Sequence, residues 1–107
     1  MVADKRVFPR LKKRLVVEFS VEGECHTGFT HDVSHTGFFV VTNRLPPPGT
    51  AIPATLHLPD GKRITLTGQV VRSRRVPPQL RESMANGFSL QLVGYVEEYT
   101  RFVGSLG

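Results

Sequence analysis

The chain has 107 residues, 14 Lys+Arg against 9 Asp+Glu for a formal charge of +5, and 39% hydrophobic residues. That length supports one modest core, and the composition is that of an ordinary globular domain, not a disordered chain. No apolar run approaches the about 18–20 residues of a membrane span, no apolar signal segment opens the chain, and the lone Cys25 excludes an internal disulfide or a cysteine-based zinc site, so a cytoplasmic protein is expected.

The chain opens basic. Residues 1–14 hold Lys5, Arg6, Arg10, Lys12, Lys13 and Arg14, opposed only by Asp4, and are expected to form a flexible basic arm. Leu15, Val17, Phe19 and Val21 then alternate as in a half-buried strand over residues 15–21. Glu22-Gly23-Glu24 is a tight turn into a second strand of about residues 25–33, with Thr27, Phe29 and Val33 expected on one side. Phe38-Phe39-Val40-Val41 suits a third strand covered on both faces. Three consecutive prolines in Leu45-Pro46-Pro47-Pro48-Gly49 forbid regular structure.

Ile52, Ala54, Leu56 and Leu58 alternate through a fourth strand, where Pro53 predicts an edge position. Asp60-Gly61 is a hairpin signal. In the fifth strand Ile64, Leu66, Gly68 and Val70 face one way, and the same face runs on into Arg72 and Arg74. Pro77-Pro78 opens a loop to about residue 86, and Phe88, Leu90 and Leu92 mark a sixth strand. Val96, Tyr99, Val103 and Leu106 fall on one helical stripe. Six short strands and one terminal helix predict an all-β chain: a six-stranded antiparallel barrel over residues 15–94, its mouth or seam covered by a helix over 96–106. No linker divides the chain, so a single domain over 1–107 is expected.

Few residues suit catalysis. His26, His31, His35 and His57 lack the spacing of a zinc protease, Cys25 has no evident partner, and no glycine-rich loop precedes a Lys-Ser/Thr pair. Glu97-Glu98 opens the terminal helix, where the helix dipole already accounts for two acids. No enzyme, metal site or cofactor is expected. The basic excess favours a polyanion instead: nucleic acid, an anionic membrane surface or a phosphorylated small molecule.

Two constellations stand out. In Arg6-Val7-Phe8-Pro9-Arg10, Pro9 forbids a regular helix and biases Phe8 towards an extended shape, leaving two guanidiniums ahead of the first strand. Guanidinium forks suit phosphate oxygens and guanine edges, and their faces stack on bases; a solvated basic tail is the plainer alternative. In Asp32-Val33-Ser34-His35-Thr36-Gly37, Asp32 can accept from a guanine edge or bond its own turn. Ser34 has the same two options, and Gly37 permits positive φ and a close approach of backbone to ligand.

Arg-x-x-x-Arg followed about twenty residues later by Asp-x-Ser-x-x-Gly, on such a barrel, resembles the PilZ family over about residues 5–104. Gly68-Gln69-Val70-Val71-Arg72 and Gly87-Phe88-Ser89-Leu90-Gln91-Leu92 are further echoes. The resemblance implies a receptor for the bacterial second messenger cyclic di-GMP, with Arg6, Arg10, Asp32, Ser34 and Gly37 at the ligand. Lys5 and Arg72 are candidates for further contacts; Lys5 lacks the stacking plane of an arginine, so one or two nucleotides per chain both stay open. It also implies ligand-induced ordering of the arm and contact with a downstream protein of motility, pilus or polysaccharide machinery, with no DNA or RNA partner. The alternatives are a PilZ-like adaptor that does not bind nucleotide and a basic barrel that binds single-stranded nucleic acid.

Overall fold

The computed structural model describes residues 10–106. Strands β1 (Leu11–Lys12), β2 (Val16–Val21), β3 (Glu24–Ser34), β4 (Gly37–Val41), β5 (Ala51–His57), β6 (Arg63–Arg74) and β7 (Gly87–Leu92) precede helix α1 (Glu97–Leu106). All pairings are antiparallel. The order β3-β2-β5-β6-β7-β4 closes on itself through β3–β4, making the expected six-stranded barrel with β1 added beside β3. Closure leaves no long unpaired edge in the sheet.

Alternation does most of the building. Val17, Phe19 and Val21 of β2, Ile52, Ala54 and Leu56 of β5, and Ile64, Leu66 and Val70 of β6 all point into one core. Phe19 meets Phe88 edge-on in its interior, ring centres 5.2 Å apart. The β2–β3 hairpin turns on Glu22 and Gly23 alone, both at positive φ (53° and 81°), the geometry that matches strand twist. Asp60 accepts a 2.9 Å bond from the Lys62 amide in the β5–β6 turn.

Three expectations are corrected. Pro53 lies in an interior strand, but the pairing of β5 with β2 stops at Ala54, so its missing N–H interrupts no ladder on that side. In β3 the register shifts between Thr30 and Asp32, leaving His31 as an extra residue. Thr27 and Phe29 are therefore exposed while Val33 is buried. In β6 a similar shift between Val70 and Arg72 loops out Val71. Arg72 and Arg74 consequently leave the core face of Ile64, Leu66 and Val70 and stand on the outside, opposite Ser89 and Gly87.

The terminal helix closes the barrel beside the β3–β4 turn. Tyr99 and Val103 are its buried residues, as the stripe predicts. The Tyr99 hydroxyl reaches the carbonyls of Ser34 (2.7 Å) and Gly37 (2.9 Å), and burial pushes its pKa up. No helix among the described residues is long and apolar enough to cross a membrane.

Candidate functional site

Residues 11–14 of the expected arm are folded against β3. Leu11 pairs with Val33 and Lys12 with Asp32. Thr30, buried, then stitches the next residues down: its hydroxyl donates to the Lys13 carbonyl (2.6 Å) and accepts from the Leu15 amide (2.8 Å). This places Arg10, immediately before β1, over the outer face of the motif in β3. Its Nε donates to Asp32 Oδ1 at 2.9 Å, and its Nη2 donates to the same oxygen. The other carboxylate oxygen, Oδ2, lies 3.2 Å from His31 Nδ1. The two sequence motifs thus meet through a charge-assisted pair, half exposed at Arg10 (36%) and less so at Asp32 (20%).

Around this pair lies a concavity of about 370 Å³ lined by Arg10, His31, Asp32, Phe39, Arg72, Arg74 and Ser89. A second, of about 330 Å³, adjoins it along Arg10, Arg72 and Ser89, and extends over Thr36, Gly37 and Gln91. Three arginines and one neutralised carboxylate make the combined surface electropositive. Arg74 is held in place: Nε and Nη2 both donate to the Ala85 carbonyl (3.1 and 2.9 Å), and its guanidinium lies 4.8 Å from the centre of the Phe39 ring. His31 meets the same ring edge-on.

Ser34 and Gly37 shape the turn. The Ser34 hydroxyl, buried, donates to the Gly37 carbonyl and accepts from the Thr36 amide, each at 3.3 Å. These are bonds within its own turn. Gly37 does not use the positive φ that glycine permits. A Cβ there would stand 2.0 Å from the Leu90 carbonyl oxygen, so a close approach of β7 demands glycine, not φ.

Arg10, Asp32, Ser34, Gly37 and Arg72 are thus brought to one side of the barrel, whereas Lys5 and Arg6 lie outside the described residues. Sequence reasoning missed His31, Phe39, Arg74 and Ser89. Phe39 reads as a covered strand residue because its neighbours are apolar. Arg74 carried a signal, as one of a basic group with Arg72 and Arg75, but its strand phase pointed inward until the bulge is known.

The PilZ domain family model matches residues 4–98, most of the chain. No curated protein matches the chain in sequence. Among solved structures, the chain is similar to the inhibitor of motility MotI/DgrA of Bacillus subtilis, with TM-score 0.77 and 18% identity over 96% of this chain and 49% of that one. It is similar to the PilZ domain of YcgR from Escherichia coli with c-di-GMP, at TM-score 0.72 and 11% identity over 96% and 88% of the two chains. The K. pneumonia MrkH–c-di-GMP complex gives TM-score 0.77 and 18% identity over 98% and 52%. The chain spans about half the length of the MotI and MrkH chains.

Proposed function

The chain belongs to the PilZ domain family, and from that membership we propose that it is a receptor for cyclic di-GMP that acts by binding and not by catalysis. The observation that carries the reading is the Arg10–Asp32 pair, which joins the Arg-x-x-x-Arg and Asp-x-Ser-x-x-Gly motifs at the rim of an arginine-lined concavity. Solved relatives of this fold whose names include c-di-GMP, YcgR and MrkH, support the choice of ligand.

In this reading Arg10 grips a phosphate. A guanidinium has five N–H donors, of which Asp32 occupies two, so a phosphate can be bound without breaking the pair. Asp32 orients the fork, and its unshared lone pairs can accept from a guanine edge. Ser34 and Gly37 set the turn against which that base lies, and Arg72 borders both concavities as a further contact. Lys5 and Arg6 supply the remaining cations. The ligand orders their segment across the barrel and so creates a new surface for a downstream protein, in motility, pilus or polysaccharide machinery. The whole is a single domain, 1–107, with an N-terminal arm, a barrel and a closing helix.

Isothermal calorimetry of the purified chain with cyclic di-GMP tests this reading. Saturable binding is expected, and the inflection gives one or two nucleotides per chain. Absence of heat at protein concentrations well above micromolar, with no change in melting temperature, overturns it in favour of a nucleotide-independent adaptor.

A further inference from the structure

A further concavity shares no lining residue with the two around Arg10. About 510 Å³ in volume, it runs between the outer face of β3 and β4 and the loop of residues 77–86. Its apolar wall is Phe29, Val41 and Met84. Phe29 and Met84 keep 36% and 40% of their surface exposed, and Val16, which pairs with Phe29 across β2–β3, keeps 39%. Phe29 also pairs with Val41 across β3–β4, so Val16, Phe29 and Val41 form one outward row over three strands. An outward row of this kind in a barrel wall calls for a cover.

The charged side chains that line or touch it are basic, and Glu18, opposite the groove residue Thr27, lies 3.0 Å from His57 Nε2. Arg81 lines the groove, and Arg14 lies 4.0 Å from the centre of the Phe29 ring. Neither forms an ion pair among the described residues. No carboxylate lines the groove, and Glu82, the acid of the 77–86 loop, lines the neighbouring concavity beside Arg74. The groove is also preformed. Asn86, buried, accepts from the Val76 amide (2.6 Å), donates to Asn43 Oδ1 (3.0 Å) and receives the Thr42 amide at its carbonyl (3.1 Å), fastening the loop to the end of β4. A rigid wall lowers the ordering cost of binding.

We propose that this groove docks an acidic segment of a partner protein, one that seats one or two large apolar side chains on Phe29 and Met84 and sets carboxylates on Arg14 and Arg81. Charge complementarity selects this occupant. A second copy joined by a two-fold axis would face Arg14 and Arg81 with their own counterparts. A lipid surface is flat and fits a concave groove poorly. The inference does not depend on nucleotide binding.

The test is selection of a displayed random peptide library on the full chain, followed by anisotropy of the labelled winners. Selected peptides should be acidic with an embedded aromatic or aliphatic residue. Their affinity should fall at least tenfold in Phe29→Ser and in Arg81→Glu, each variant keeping a cooperative melt. Arg81→Glu changes an exposed side chain, so it remains informative if Phe29→Ser unfolds. The proposal is overturned if no acidic consensus emerges or if the winners bind Arg81→Glu as well as the parent. It is equally overturned if Arg81→Glu abolishes instead a dimer seen by sedimentation or binding to phosphatidylserine vesicles.

Discussion

Replacing Arg10 by alanine separates a binding role from a structural one, because the two predict effects of different size. In the ligand-free chain the Arg10–Asp32 pair is partly solvated on both sides, and such pairs stabilise a fold by about 0.2–1 kcal/mol. Arg10→Ala should therefore lower the melting temperature by no more than about 4–8 °C, the shift that about 1 kcal/mol produces in a chain of this size. The remaining N–H groups of the fork are free to meet a phosphate, and a hydrogen bond to a charged group contributes about 1.5–3 kcal/mol. Affinity for cyclic di-GMP should then fall about tenfold to about 150-fold by calorimetry. Arg10→Lys keeps the charge without the fork and should lie between the two. Unchanged binding in Arg10→Ala would sink the site assignment, and parent-like binding in Arg10→Lys would reduce Arg10 to a steering charge.

Removing the Tyr99 hydroxyl by Tyr99→Phe strips the buried Ser34 and Gly37 carbonyls of a shared donor; urea denaturation should show a loss of about 1–3 kcal/mol. The same phenol creates a pH dependence. Its pKa is raised on folding, so its contribution is complete below the unfolded value of about 10 and declines as pH climbs above it, where the folded chain still holds the proton. Stability of the parent should thus fall by about 1.4 kcal/mol per pH unit above pH 10 relative to Tyr99→Phe, and equal slopes would refute the burial argument. Gly37→Ala places a methyl against the Leu90 carbonyl and should cost about 1–3 kcal/mol or more, read by thermal melt; a parent-like melt would mean that β7 yields easily. Asn86→Ala leaves the Val76 amide without its partner, which should speed hydrogen exchange in the 77–86 loop while the barrel amides stay protected.

How much of this was legible follows from how each feature is encoded. Strand positions along the chain need no long-range information when alternation and turn residues punctuate it, so Val17 to Val21, Ile52 to Leu56 and the Glu22-Gly23 and Asp60-Gly61 turns read directly, whereas the pairings of β2 with β5 and β4 with β7 do not. The helix stripe reads for the same reason, and Tyr99 and Val103 are the residues it buries. The need for glycine at position 37 could not be read, because a close approach by Leu90, distant in sequence, leaves no local trace. Phe39 could not be told from its core neighbours Phe38 and Val40, since a wall of the site and a wall of the core share one apolar composition.

The larger failure of alternation has a single form and a single location. Continued without interruption, the phase of β3 that buries Thr30 would bury Asp32, and the phase of β6 that buries Val70 would bury Arg72 and Arg74. An unpaired buried charge costs far more than a strand irregularity, so neither continuation is tolerable. One inserted residue in each strand, His31 and Val71, reverses the phase and turns all three charges outward. Both reversals converge on the same arginine-lined concavity, to which β1 then brings Arg10. A charge at the next inward position of an apolar alternation, as Arg72 follows Val70 in β6, is therefore a readable sign of a bulge, whereas Gly28 and Thr30 ahead of Asp32 in β3 form no apolar alternation and leave that bulge unmarked in the sequence. By this reasoning the net charge of +5 matters less than its phase: Arg72 and Arg74, two of the three arginines that line the concavity, are the ones the apolar pattern of β6 could not accommodate.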